Sequence, residues 1–290
     1  MFKGNYFKYY KISILTFLLH IFVFMVQIKT YDAIKISCDV SSKLEDNLVI
    51  EAPLQINING DPYTVVMRTP GNDKYLIQGL LFAEDIYKKS SPVKIENFNN
   101  KENFGTILNV TIAKNDLGNG YLNKRTLLSI SSCGICGKKE INDINIKGTP
   151  VTKRIHLTFS EIKQMFRMMN STQKVFQITG GSHASAVFDK NKNLLVSMED
   201  IGRHNAVDKC IGYLKQSDKL NEASIILVSG RVSYEIISKA FFAKIPIIIA
   251  VSACSSLAVD FAKEFGICLI GFTRDKKMTV YSHPHAIHSL

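Results

Sequence analysis

Apolar positions along the chain change period twice, and each change marks a different kind of element. Leu54 to Ile58 alternates, Asn59-Gly60-Asp61-Pro62 is a turn, and Tyr63 to Arg68 alternates again. Period two on both sides of a Gly-containing turn predicts a hairpin. Lys74 to Asp85 shifts to helical spacing, with Tyr75, Leu76, Leu80 and Phe82 able to share a face. Gly105 to Ala113 and Leu127 to Ile130 read as further strands, so residues 48–130 are strand-rich. A polar connection, Asn142 to Pro150, leads to a predicted helix over Thr158 to Met169, with Ser160 as N-cap and the acid Glu161 in its first turn. Val175 to Ile178 reads as a strand that ends in Thr179-Gly180-Gly181-Ser182-His183. Ala184 to Phe188 and Leu194 to Met198 flank Asp189-Lys190-Asn191-Lys192-Asn193 as a second hairpin.

The final third alternates between the two periods. Helices are predicted over Asn205 to Leu214, Tyr234 to Ala243 and Leu257 to Phe265. Strands are predicted over Ser224 to Ser229, Ile245 to Ser252 and Ile267 to Phe272. These strands are continuous aliphatic runs, as in a sheet covered on both faces. Strand–helix alternation implies right-handed crossovers and parallel strands. The expected architecture is α/β, with residues 44–150 a smaller strand-rich domain and residues 151–290 a three-layer α/β domain. Residues 1–43 stand apart as an apolar extension. Within it Ile12 to Ile28 is strongly apolar and follows Lys3, Lys8 and Lys11. It resembles a signal or short membrane anchor but lacks a small-residue cleavage site. Met25 offers an alternative start.

Composition narrows the partners. The chain has 290 residues, 46% of them hydrophobic, enough for a sizeable core. The net charge of +11 is spread along the sequence, and only 7 of 36 basic residues are Arg. Nothing clusters basic and aromatic residues as a nucleic-acid surface would require. Scarce arginine makes its placement informative, because a planar guanidinium suits bidentate phosphate contacts. Arg203, Arg231 and Arg274 all fall in Gly- or Ser-rich turns. The six cysteines form no disulfide framework and suit a reducing compartment. Cys210 and Cys268 sit in apolar patterns as small hydrophobes.

In an open α/β sheet, ligands bind beyond the carboxyl ends of the strands. Three such ends carry small or basic residues: Ser229-Gly230-Arg231, Ser252-Ala253-Cys254-Ser255-Ser256, and Phe272-Thr273-Arg274-Asp275-Lys276-Lys277. The first two lead into helices, whose free N–H groups favour anions. A phosphate-bearing ligand is the expectation. The other chemistry is in Ser132-Cys133-Gly134-Ile135-Cys136-Gly137-Lys138-Lys139. Adjacent lysines favour thiolate, the reactive form of cysteine. Three readings stay open on residues alone. The pair could carry sulfur as a persulfide on a Gly-flanked loop. It could be part of a zinc site, with His283 and His285 as weak further ligands. It could be a dithiol redox couple.

Taken in order, Ser-Cys-Gly-Ile-Cys-Gly at 132–137, Thr-Gly-Gly-Ser-His-Ala at 179–184, Glu-Asp-Ile-Gly-Arg-His-Asn-Ala-Val-Asp-Lys at 199–209, Ser-Gly-Arg-Val-Ser-Tyr-Glu at 229–235, Ala-Val-Ser-Ala at 250–253 and Val-Tyr-Ser-His-Pro at 280–284 resemble the FdhD/NarQ family. These are sulfur-carrier accessory proteins of formate dehydrogenase. The resemblance implies a larger domain of cytidine-deaminase-like fold. It implies a sulfurtransferase-type carrier that accepts sulfur from a cysteine desulfurase as a persulfide. Cys133 maps to the persulfide position, with Cys136 beside it. It further implies delivery to molybdenum in bis(molybdopterin guanine dinucleotide), contacted by Phe272, Thr273, Arg274, Asp275, Lys276 and Lys277. A homodimer, formate dehydrogenase as client and a cytoplasmic location complete the implication. Arg231 joins the cofactor set from its strand-end position. The competing reading is a cofactor-binding chaperone whose cysteines serve structure or metal.

Overall fold

A computed structural model describes residues 27–38, 40–89, 91–98, 105–122, 148–274 and 277–288. Cys133, Cys136, Asp275, Lys276 and the strand predicted at Leu127 to Ile130 lie outside the described residues. So does all of the Ile12 to Ile28 stretch except its last two positions. Among the described residues no helix is long and apolar enough to cross a membrane.

The first described element is a hairpin absent from the sequence-based expectation. β1 (Ile28–Ser37) and β2 (Val40–Val49) pair antiparallel from Ile28↔Val49 to Ser37↔Val40. Its apolar residues are not gathered on one face: Tyr31 and Leu44 face one way, Ile34 and Ile36 the other. All four are exposed. Without a one-sided apolar pattern the period-two signal is faint. The line drawn at residue 43 falls inside β2.

The smaller unit forms as the alternation predicted. β3 (Ala52–Ile58) and β4 (Asp61–Arg68) make the hairpin, turning at Asn59 and Gly60, both at positive φ. β5 (Lys94–Phe98) and β6 (Thr106–Thr111) complete a four-stranded sheet in the order β4-β3-β6-β5, with β3 and β6 parallel. β5 is a polar edge strand, Lys-Ile-Glu-Asn-Phe, with too little apolar content to signal itself. α1 (Asp73–Ala83) covers this sheet with Leu76, Ile77, Leu80 and Leu81 against Leu54, Ile56, Ile58, Leu108 and Val110.

The larger unit is a three-layer sandwich. β7 (His183–Phe188), β8 (Leu194–Asp200), β9 (Ile225–Val228), β10 (Ile247–Ala250), β11 (Cys268–Arg274) and β12 (Lys277–Ser282) form one sheet in the order β12-β11-β10-β9-β7-β8. β9, β10 and β11 are parallel; β7 and β12 run antiparallel to their neighbours. Each central strand is apolar on both faces. Ile226 and Val228 meet α4 (Arg203–Gln216), α5 (Tyr234–Phe242) and α6 (Ser256–Phe265) through Ile211, Ile237 and Ala262. Ile225 and Leu227 meet α2 (Phe159–Thr172) through Ile162, Met165 and Met169 on the other side. This is the two-faced burial that unbroken aliphatic runs require.

Two local expectations are corrected. α2 is capped by Thr158 and not Ser160: Thr158 Oγ1 accepts from Glu161 N–H (3.2 Å), and Glu161 accepts from Thr158 N–H (2.8 Å). That reciprocal capping box fixes the helix start. The strand predicted at Val175 to Ile178 is helical, α3 (Lys174–Thr179). Glu199, on β8, accepts from Val175 N–H (2.9 Å) and Phe176 N–H (2.8 Å). A carboxylate that satisfies the free N–H groups of a first turn outweighs the β-propensity of Val and Ile. Gly180, at φ 65°, ends the helix.

The two units meet where α1 crosses α4. A Cβ on Gly79 would lie 2.0 Å from Asp208 O, and one on Gly212 would lie 1.9 Å from Tyr75 O. The helices touch backbone to backbone at that crossing. Beside it, the ends of β4 and β8 are joined by a buried polar cluster. Lys209 Nζ is 2.7 Å from Asp200 Oδ2 and donates to Thr69 O (3.0 Å). Asp200 also accepts from the N–H groups of Thr69 (3.2 Å) and Gly202 (2.8 Å) and from Asn205 Nδ2 (2.9 Å).

Candidate anion-binding edge

The mixed sheet brings unlike chain segments to one edge. Because β7 runs against β9, its first residue, His183, sits beside the last of β9, and Asp200 pairs with His183 across β8. The edge therefore collects His183, Asp200, Ser229-Gly230-Arg231, Val251-Ser252 and Phe272 to Arg274. α4 begins at Arg203 on the same side, after Gly202.

Ser229 opens the site. Its Oγ accepts from Ala184 N–H (2.9 Å) and lies 3.3 Å from His183 Nδ1. Gly230 comes next, and its missing side chain matters. A Cβ there would stand 3.2 Å from Arg203 Cδ and 3.2 Å from both Cε1 and Nδ1 of His183. Glycine thus lets a guanidinium arm and an imidazole crowd against one backbone. Burial holds the His183 pKa below its ordinary value, and the charges of Arg203 and Arg231 push it down further against the opposing pull of Asp200. Two guanidinium groups acting on one imidazole make a positive surrounding that suits an anion.

Two polar atoms here have no protein partner among the described residues. Arg203 Nε is buried without an acceptor, and Thr273 Oγ1 is buried without any partner. Buried polar groups are normally satisfied, so these two mark where a ligand atom fits. Phe272, at φ 51° and 44% exposed, is anchored by its N–H to Ser252 O (3.0 Å), which turns its ring outward at the rim. Arg274 is exposed and its Nε donates to Val251 O (3.2 Å). Lys277 pairs with Arg274 across the β11–β12 connection.

The predicted site residues divide accordingly. Phe272, Thr273, Arg274 and Lys277 share the far side of the edge. Arg231 and Arg274 do not end adjacent strands: β10 stands between β9 and β11. At about 4.8 Å per strand, that separates the strand ends by roughly 10 Å. Arg231 belongs instead with Arg203 and His183, a pairing that sequence spacing does not reveal. The turn at 179–183 follows a helix, not a strand, and is tied down where Glu199 accepts from Ser182 Oγ (2.8 Å). His204, left unassigned by sequence, is buried in the α4–α5 contact. Its Nε2 is 2.9 Å from Ser233 Oγ and 3.6 Å from Glu235.

Three of the four described cysteines are poor nucleophiles; the fourth, Cys38, is exposed at the β1–β2 turn. Burial pushes the thiols of Cys210, Cys254 and Cys268 each up to about 12. Among the described residues no three His, Cys, Asp or Glu side chains gather as a metal site would need.

Comparison with known proteins agrees with this architecture. The model of the FdhD/NarQ family matches residues 49–288. The sulfur carrier protein FdhD of Mycolicibacterium paratuberculosis is 39% identical over 251 residues, 83% of this chain and 92% of that protein. Its namesake from Picrophilus torridus is 40% identical, covering 84% and 93%. That from Saccharolobus solfataricus is 36% identical, covering 91% and 99%. The crystal structure of a candidate formate dehydrogenase accessory protein from Desulfotalea psychrophila shares the fold at a TM-score of 0.72. It is 23% identical and covers 90% of this chain and 99% of its own.

Proposed function

The chain belongs to the FdhD/NarQ family, and from that premise we propose that it is a sulfur carrier serving formate dehydrogenase. In this reading Cys133 takes sulfur from a cysteine desulfurase. Its thiolate attacks the outer sulfur of the desulfurase persulfide; a new S–S bond forms on Cys133 and the desulfurase thiolate leaves. Cys136, three residues on and also Gly-flanked, is the neighbouring thiol of the pair. The sulfur is passed to the molybdenum of bis(molybdopterin guanine dinucleotide) before that cofactor enters formate dehydrogenase. The carrier acts in the cytoplasm as a homodimer.

The observation that carries the reading is a family match running almost the length of the chain together with an edge fitted for phosphates. The guanine dinucleotide brings diphosphate groups. Arg203 and Arg231 are the charged donors suited to them, Thr273 Oγ1 has no partner among the described residues, and the Phe272 ring offers a face to a planar base. The thiols at 210, 254 and 268 are held protonated by burial, and Cys38 is exposed but stands alone, so the paired, lysine-flanked Cys133 motif is the better place for sulfur chemistry.

The test uses two readouts. After incubation with a desulfurase and cysteine, mass spectrometry should find one added sulfur on Cys133, absent from Cys133→Ala. Cells whose only copy carries that change should lose formate dehydrogenase activity. Arg203→Ala and Arg231→Ala should each weaken guanosine diphosphate binding about ten- to a hundredfold, the worth of one charged hydrogen bond, while still loading sulfur. Nucleotide binding with no sulfur on Cys133 would leave a cofactor-binding chaperone in place of a carrier.

A further inference from the structure

The opposite edge of the large sheet holds a second basic feature that the sulfur-carrier reading does not use. A cleft of about 630 Å³ opens where Ala223 leads into β9 and Lys244 leads into β10. Its lining includes Lys88, Lys153, Lys215, Lys244, Asp218 and Phe242. That volume suits a small-molecule ligand.

The lysines are held in place, but not by carboxylates. Lys215 is 4% exposed; its Nζ donates to Lys88 O (2.7 Å) and to Lys89 O, and lies 4.9 Å from the centre of the Phe82 ring. Lys153 Nζ donates to Ala223 O (3.1 Å), and Lys244 Nζ to Thr149 O (3.2 Å). Lys88 pairs with Asp85 (2.7 Å), outside the lining. Among the described residues, Lys153, Lys215 and Lys244 meet no carboxylate at ion-pair distance. Burial accordingly lowers the Lys215 pKa to about 8. It lowers that of Lys153 as well, with help from the charge of Lys190.

Lys215 is buried and bonded only to neutral carbonyls and a ring, although Asp218 also lines the cleft, and an anion would offset the cost of burying that charge. Each ammonium has three N–H donors, so each anchored lysine keeps at least one for a ligand. The three come from separate segments, before α2, at the end of α4 and after α5. A ligand with several charged oxygens suits donors from three segments, and lysine binds phosphate well as a point charge.

We propose that this cleft is a second anion site, built for an oligophosphate and separate from the Arg203–Arg231 edge. The inference does not depend on the sulfur-carrier reading. The shared chemistry is a diphosphate group, either free or as part of a nucleotide.

Calorimetric titration of the full chain at physiological salt tests it, with inorganic pyrophosphate and adenosine diphosphate as separate probes. Lys153→Gln/Lys244→Gln changes two exposed residues and should spare the fold. It should weaken pyrophosphate binding at least tenfold, as should Lys215→Met. Lys163→Gln/Lys174→Gln removes the same charge from exposed sites on α2 and α3 and should leave affinity unchanged; Arg231→Ala should remove only such binding as occurs at the other edge. A parallel loss with adenosine diphosphate identifies the nucleotide as a ligand; loss with pyrophosphate alone identifies a free oligophosphate. The proposal is overturned if pyrophosphate does not bind, if the α2–α3 pair weakens it equally, or if only Arg231→Ala does. It is also overturned if a glutamate-rich peptide binds the cleft where pyrophosphate does not.

Discussion

Replacing Lys209 with methionine removes one ammonium and keeps most of the side chain's length, so it isolates the charge. Lys209 and Asp200 are both fully buried, 2.7 Å apart. After the change, Asp200 keeps three neutral donors, from Thr69, Gly202 and Asn205, but no counter-charge. Thr69 O loses its donor as well. Breaking one side of a buried ion pair costs about 3–5 kcal/mol. The three surviving donors favour the lower end of that range, and the orphaned carbonyl moves it back up. At about 2–4 °C per kcal/mol for a domain of this size, the melting temperature should fall by roughly 6–20 °C. Urea unfolding of Lys209→Met, Asp200→Asn and the double variant closes a cycle. The double variant should lose less than the sum of the two, with a coupling of at least about 1 kcal/mol. Guanosine diphosphate affinity should fall too, because Asp200 also holds the Gly202 turn that presents Arg203. A loss below about 1 kcal/mol in Lys209→Met would refute the reasoning, since the pair would then not be bearing charge in a dry site.

Two further outcomes follow from geometry and from thiol acidity. Gly212→Ala places a Cβ 1.9 Å from Tyr75 O, backbone that cannot rotate away, and should cost about 1–3 kcal/mol or more in a urea melt. With thiols raised to about 12, Cys210, Cys254 and Cys268 should be about 0.01% thiolate at pH 8, against roughly a quarter for a free thiol near 8.5. Native iodoacetamide labelling read by peptide mass spectrometry should leave all three unmodified, and their rate should rise about tenfold per pH unit. Fast labelling of any of them at pH 8 would show that burial does not control its reactivity.

Strands β9 to β11 were legible because they are unbroken aliphatic runs and the helices between them carry clean spacing, two signals that survive without tertiary context; β12, a partly polar edge strand, was not read. The errors fell where a distant group decides. Val175 to Ile178 looks like a strand until Glu199, more than twenty residues away, supplies acceptors for its N–H groups. β1 and β2 were invisible because their apolar residues point to both sides. The candidate site was half legible. Arginine at a glycine turn flagged Arg231 and Arg274 individually. The grouping of Arg203 and His183 around Gly230 depends on β7 running against β9, and strand direction at the sheet margin leaves no local mark.

The polar cluster between the units also has a bearing on time. Its hydrogen bonds join residues far apart in the chain: 131 positions separate Thr69 from Asp200, and 140 separate Lys209 from Thr69. Contacts of such span close late, after local structure has formed. On a ribosome adding about 5–20 residues per second, the smaller unit waits roughly 7–30 s for its counterpart to be synthesised. During that wait the face of α1 that will meet α4 is bare. Gly79 presents bare backbone at the crossing, but Tyr75 and Phe82, which later meet Tyr213 and the core of the larger unit, stay uncovered until it arrives.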